Sequence, residues 1–129
     1  MAIIILFAML FMHIVDDYYL QGCLAKYKQQ FWWKENVPDD IYRRDWLVAL
    51  IEHAFSWSFS ITIPIVLLWT HSGEYHPVVY VIFFILNVAL HAFIDHLKCN
   101  LFKCSLLMDQ ILHCWQVVFT WIFLCLWWS

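Results

Sequence analysis

Residues 78–98 read VVYVIFFILNVALHAFIDHLK. Through Leu90 the stretch is apolar apart from Asn87, and then His91 and Asp95 stand four residues apart. On an α-helix residues i and i+4 share a face, so this imidazole and carboxylate form a two-pronged ligand. The stretch is long enough to cross a bilayer. Ionisable groups in such segments are costly and mostly turn to the bundle interior. The pattern recurs as His13 and Asp17, and in reversed order as Asp109 and His113, while a further apolar stretch supplies His53. Seven groups at matched depth point to a buried metal site made of His13, Asp17, His53, His91, Asp95, Asp109 and His113.

Composition sets the same frame. Of 129 residues, 64% are apolar, 20% aromatic and only 13% charged, with a mean hydropathy of +0.70. Soluble domains carry about a quarter charged residues. The reading is an all-α polytopic membrane protein, one transmembrane domain over residues 1–129, with the lipid bilayer as its partner. Two glycines leave no material for a Gly-rich phosphate loop. Binding to duplex nucleic acid is not expected, and self-association into a homo-oligomer is left open. Five cysteines form no CxxC pair and no even disulfide framework, so free, structural thiols are expected.

Four spans are expected at about 2–20, 46–69, 78–97 and 105–128, packed as a four-helix bundle. The first lacks a basic leader and a small-residue cleavage site, and Asp16 and Asp17 follow it directly, so it reads as a retained helix rather than a signal peptide. It is expected to continue to about Phe31 as an amphipathic interfacial piece, with Trp32, Trp33 and Lys34 suiting the headgroup region. Asp45 is read as the cap of the second span and Pro64 as a kink in it. Trp127 and Trp128 are expected in the far interface.

All seven Lys and Arg lie in segments 21–45 and 98–104. The positive-inside rule puts both segments in the cytoplasm and both termini outside. Measured from the cytoplasmic ends, Asp17, Asp95 and Asp109 then lie about one turn in. The four histidines lie about two turns in, ~6 Å deeper at ~1.5 Å per residue. Asn87, Gln116, Thr120, Ser56 and Ser60 extend the same stripes. Asp16 and Glu52, each one residue off a stripe, are expected to support His13 and His53 respectively. His96 points away from Asp95 and is read as interfacial.

Polar side chains also act as plain interhelical glue in membranes, worth about 0.6–2 kcal/mol each. Depth matching and three i,i+4 repeats favour a metal over that alternative. Imidazole with carboxylate suits Zn²⁺ first, with Mn or Fe behind it. Seven ligands fit two ions, or one ion with a carboxylate left as base.

HIVDDYYLQ (13–21), HAFIDHLK (91–98) and DQILH (109–113), with Ala25, Lys28 and His53 between them, resemble the HxxxDxxxQ, HxxxDxxK and DQxxH signatures of a family of small, uncharacterised phage and bacterial inner-membrane proteins. The likeness is spread over nearly the whole chain. It departs at Asp16, where a small residue is usual, and in the aromatic segment 31–46. The resemblance implies a phage or bacterial inner-membrane location and no particular activity. A more distant similarity, at the level of fold, is to membrane-bound metal-dependent hydrolases.

Two functions from different classes follow. The first is a metal-dependent hydrolase of a phosphoester, lipid or nucleotide, with Asp17, Asp95 and Lys98 catalytic and Lys28 and Lys98 binding the phosphate. The second is a non-enzymatic phage or bacterial membrane protein: a structural metal site, an ion conduit or a modulator of a host membrane complex. The outer halves of the spans are almost wholly apolar, which favours a one-sided pocket over a conduit. For the topology, cysteine-accessibility labelling should find Cys99 and Cys104 on the cytoplasmic side and a tag after Ser129 outside. A cytoplasmic C-terminus would overturn both the orientation and the depth matching.

Overall fold

The computed structural model describes residues 2–126, which are helical between short connections, with no strand among them. Trp127 and Trp128 lie outside the described residues. Four stretches are long and apolar enough to cross a membrane: Ala2–Leu20, Asp40–Ser72, Pro77–Cys99 and Leu106–Cys125.

Helix α1 (Ala2–Val15) runs into a π-helical turn over Asp16–Leu20, closed by Gln21 N–H donating to the Asp16 carbonyl at 3.0 Å. Gly22 then takes a left-handed φ of +50° and the chain leaves the helix axis. The expected continuation of helix one to Phe31 therefore does not form. Two short helices, α2 (Leu24–Tyr27) and α3 (Gln30–Asn36), fold back instead. They are tied to the end of α5 (Pro77–Cys99), where Asn100 accepts from Gln30 N–H at 2.7 Å and donates to the Lys28 carbonyl at 3.1 Å. That clamp holds Lys28 inward.

Helix α4 (Asp45–Ser72) passes through Pro64 without a break and ends at Gly73, whose φ of +75° suits a left-handed C-cap. Asp45 is its first residue rather than its cap: Arg44 holds the cap position and makes no capping bond. In α5, Pro77 occupies the first turn, where a missing N–H costs nothing. Helix α6 (Leu106–Trp121) starts under Ser105, whose hydroxyl oxygen accepts from Met108 N–H at 3.2 Å, and passes into a second π turn over Ile122–Leu126.

The four long helices close a ring: α1 packs on α4 and α6, and α5 packs on the same two. Its inside and outside reverse the soluble pattern. Phe7, Phe11, Phe55, Ile85, Phe93 and Leu107 are exposed, while the described residues bury fifteen polar or charged side chains against twelve apolar ones. One end of the interior is apolar, around Met9, Trp57, Ile61, Ile65, Val117 and Leu124. Beside it, Asn87 donates to Thr120 Oγ1 at 3.0 Å and accepts from Gln116 at 2.8 Å, joining α5 to α6.

At Gly22 an added Cβ would meet only the Leu20 carbonyl, at 3.8 Å, so a substitution there is strained by conformation and not by collision. Gly22→Ala should cost about 1–2 kcal/mol, measured as denaturation in detergent micelles. An unchanged stability would mean that this turn is not held as described.

Candidate metal centre

The expected ligands meet in one cluster. His13, Asp17, His53, His91, Asp95, Asp109 and His113 are all buried, and each comes from the inward stripe of its own helix. The carboxylates and imidazoles are not stacked in separate tiers. Their side chains span the one-turn offset and interdigitate: Asp17 Oδ1 lies 3.3 Å from His53 Nε2, and Asp95 Oδ2 lies 3.3 Å from the same nitrogen and 3.6 Å from His91 Nε2. His113 Nε2 lies 3.5 Å from Asp95 Oδ1 and 3.4 Å from Asp109 Oδ1. Asp95 thus turns one oxygen to His53 and His91 and the other to His113.

Two triads of ligand atoms emerge, Asp17–His53–His91 and His91–Asp95–His113, each lying within 4.8 Å throughout. Ion–ligand bonds of about 2.0–2.2 Å in a tetrahedral Zn²⁺ site place neighbouring ligand atoms about 3.3–3.6 Å apart. The first triad has separations of 3.1, 3.3 and 3.9 Å; in the second, Asp95 approaches His91 at 3.6 Å through Oδ2 and His113 at 3.5 Å through Oδ1. Both could hold an ion, and His91 belongs to each. Beside these triads, Asp109 Oδ1 and both nitrogens of His113 are buried without a hydrogen bond.

Charge points the same way. Asp16, Asp17, Asp95 and Asp109 are buried among apolar helices, and the cations beside them are Lys28, on Asp95 Oδ2 at 2.6 Å, and Lys98, on Asp109 Oδ2 at 2.7 Å. With neutral imidazoles, four carboxylates and two ammonium groups leave two negative charges. An uncompensated buried charge costs several kcal/mol, so a divalent cation, imidazolium protons or protonated carboxylates must balance them.

Orientation of the rings is largely a matter of stacking. Trp57 lies on His91 with centroids 4.2 Å apart, and His91 lies on His113 at the same separation. Trp57 also donates its indole N–H to His13 Nδ1 at 2.9 Å, so the His13 proton sits on Nε2, facing Gln110 Oε1 at 3.2 Å. Both nitrogens of His13 are thereby engaged by protein, which sets it apart from the other three histidines. The Gln110 amide nitrogen in turn donates to Asp17 at 3.3 Å and to Asp109 at 3.1 Å.

Support for the ligands differs from expectation in two places. Glu52 is exposed and does not support His53. Asp16, expected to support His13, instead has its carboxylate 3.7 Å from His53 Nδ1 and accepts from Ser56 and Ser60 at 2.8 and 3.0 Å. The π turn lets consecutive Asp16 and Asp17 both stay inside, consistent with such turns recurring at functional sites. Trp57 and Gln110 were not among the expected site residues. Trp57 was within reach of the i,i+4 rule, being four after His53; Gln110, next to Asp109, was not. His96 stacks on Trp46 at 5.3 Å, outside the cluster, and all five cysteines are free.

Purified protein should carry about one to two equivalents of Zn, Mn or Fe per chain by elemental analysis. Because His91 serves both triads, His91→Ala should abolish that content, whereas His113→Ala should spare the Asp17–His53–His91 triad. Metal-free protein of undiminished stability would leave interhelical hydrogen bonding as the cluster's whole role.

Comparison with protein-family models, with curated proteins and with solved structures finds no match. What the chain does is therefore to be read from the chemistry of its own cluster.

Proposed function

We propose that the chain is a membrane-embedded, metal-dependent hydrolase of phosphoesters, spanning a bacterial inner membrane with its cluster open to the cytoplasmic face. The observation that carries this reading is a polar mouth of about 90 Å³ leading to the cluster. It is lined by Asp17, Asp95, Lys28, Lys98, Gln21 and Gln110. Carboxylates that could hold an ion and cations that could hold a phosphate thus share one small opening. The exposed apolar faces of all four long helices support insertion in a bilayer. The confinement of all Lys and Arg to two segments supports the orientation.

A divalent ion held by Asp17, His53 and His91 or by His91, Asp95 and His113 would polarise a phosphoryl oxygen and acidify a water molecule. Lys28 and Lys98 each keep ammonium protons beyond the one given to a carboxylate, and these meet the phosphate oxygens. Asp95, held by Lys28, fixes His53 and His91 on one side and His113 on the other. Asp17 borders both the mouth and the first triad, where its carboxylate takes a proton from the attacking water. The water oxygen bonds to phosphorus, the P–O bond to the alcohol breaks, and the proton passes to the departing alkoxide. Trp57 and the apolar end beyond it keep the interior dry.

One observation favours the non-enzymatic alternative, a structural staple. The lysines lie within 2.6 and 2.7 Å of Asp95 and Asp109, so the cluster supplies part of its own neutralisation. The two readings separate at Asp17. In metal-loaded protein, Asp17→Asn should lower phosphoester turnover about 10²-fold or more while the melting temperature and fold in detergent are retained. If a broad phosphoester panel is untouched by wild-type protein, and Asp17→Asn melts as early as the histidine variants, the staple is the function.

A further inference from the structure

The polar mouth has an apolar neighbour. Between α1 and α6 a groove of about 580 Å³ opens on the outer surface of the ring, walled by Leu10, Ile14, Tyr18, Tyr19 and Cys114. Its polar members are His13 and Gln110, the same Gln110 that bonds to Asp17 and Asp109. Tyr18 and Gln110 line both the groove and the mouth. Ile14 and Tyr18 are about half exposed, at 48% and 55%, on the face that a bilayer would cover. A hydrocarbon slot thus adjoins a small polar pocket bearing two ammonium groups.

We propose that the ligand of this site is a lipid carrying a terminal phosphate, its tail in the α1–α6 groove and its phosphate in the mouth between Lys28 and Lys98. The assignment deepens the hydrolase reading and rests on it for turnover, though not for binding. Charge selects the anionic head. Size suits a bare phosphate: an opening of about 90 Å³ has room for a phosphate group with a water molecule or two. The groove selects a hydrocarbon tail, which needs no path through water because it enters sideways from the bilayer. Gln110 stands at the junction, held there by its bonds to His13, Asp17 and Asp109. In the hydrolytic step, water oxygen bonds to phosphorus, the lipid alcohol leaves with one water proton, and the other stays on the released hydrogen phosphate.

Cys114, in the groove wall, reports occupancy. Full-length protein is placed in nanodiscs of dioleoylphosphatidylcholine with or without dioleoyl phosphatidate, and alkylation by N-ethylmaleimide is read at each cysteine by mass spectrometry. Phosphatidate should slow alkylation of Cys114 several-fold relative to the other cysteines, and inorganic phosphate alone should not. Ile14→Trp, which fills the groove, should abolish the protection. Equal alkylation with and without phosphatidate reduces the groove to a seat for ordinary bilayer lipid and overturns the proposal; protection by inorganic phosphate alone removes the tail from recognition and overturns it too. Protection without any release of phosphate keeps the lipid site and defeats only the hydrolase reading.

Discussion

Four carboxylates and two ammonium groups sit together inside a ring of otherwise apolar helices, and the rest of the structure answers that imbalance. Charges in such a place persist only when paired and hydrogen-bonded. Each surrounding element supplies one such partner: α4 gives Ser56 and Ser60 to Asp16, α6 gives Gln110 to Asp17, and the fold-back after Gly22 brings Lys28 to Asp95. Lys98, from the end of α5, meets Asp109 of α6. The two charges still unpaired by protein are what a divalent ion would neutralise. Nitrogens of His53, His91 and His113 lie close enough to be the donors to that ion.

The stripes on each helix were legible in the sequence because the α-helix repeats so nearly every four residues. His13 with Asp17, His91 with Asp95 and Asp109 with His113 all face inward, as do Asn87, Gln116 and Thr120. Where the helix departs from that period, legibility fails. The π turn at Asp16–Leu20 brings inside a carboxylate that α-helical spacing puts off the stripe. Asp16 consequently comes within 3.7 Å of His53 Nδ1, whereas Glu52, next to His53 in sequence, is exposed. The reversal at Gly22 was hidden for a different reason: an amphipathic pattern continues through it, and only the left-handed φ reveals that the chain turns back. Lys28 accordingly sits deeper than a solvated lysine, bound to a carboxylate. Trp57 obeyed the periodicity but has no charge to draw notice, although its ring sets the planes of two histidines and its N–H sets the tautomer of a third.

The cluster's position within the bundle narrows what it can do. On one side Met9, Trp57, Ile61, Val117 and Leu124 pack an apolar plug, beside which Asn87, Gln116 and Thr120 bond α5 to α6. On the other side the polar mouth opens, and laterally the α1–α6 groove meets it at Gln110. The proposed chemistry on the head of an amphiphile rests on this pairing of a small mouth with a hydrocarbon groove.

All of this depends on the His/Asp cluster being a true coordination site. X-ray absorption at the K edge of the metal in purified protein tests that most directly. The expected result is a first shell of nitrogen and oxygen only, at about 2.0–2.2 Å, with the outer scattering of at least two imidazole rings. A sulfur shell at about 2.3 Å would place the metal on cysteines, none of which belongs to the cluster, and would contradict the account.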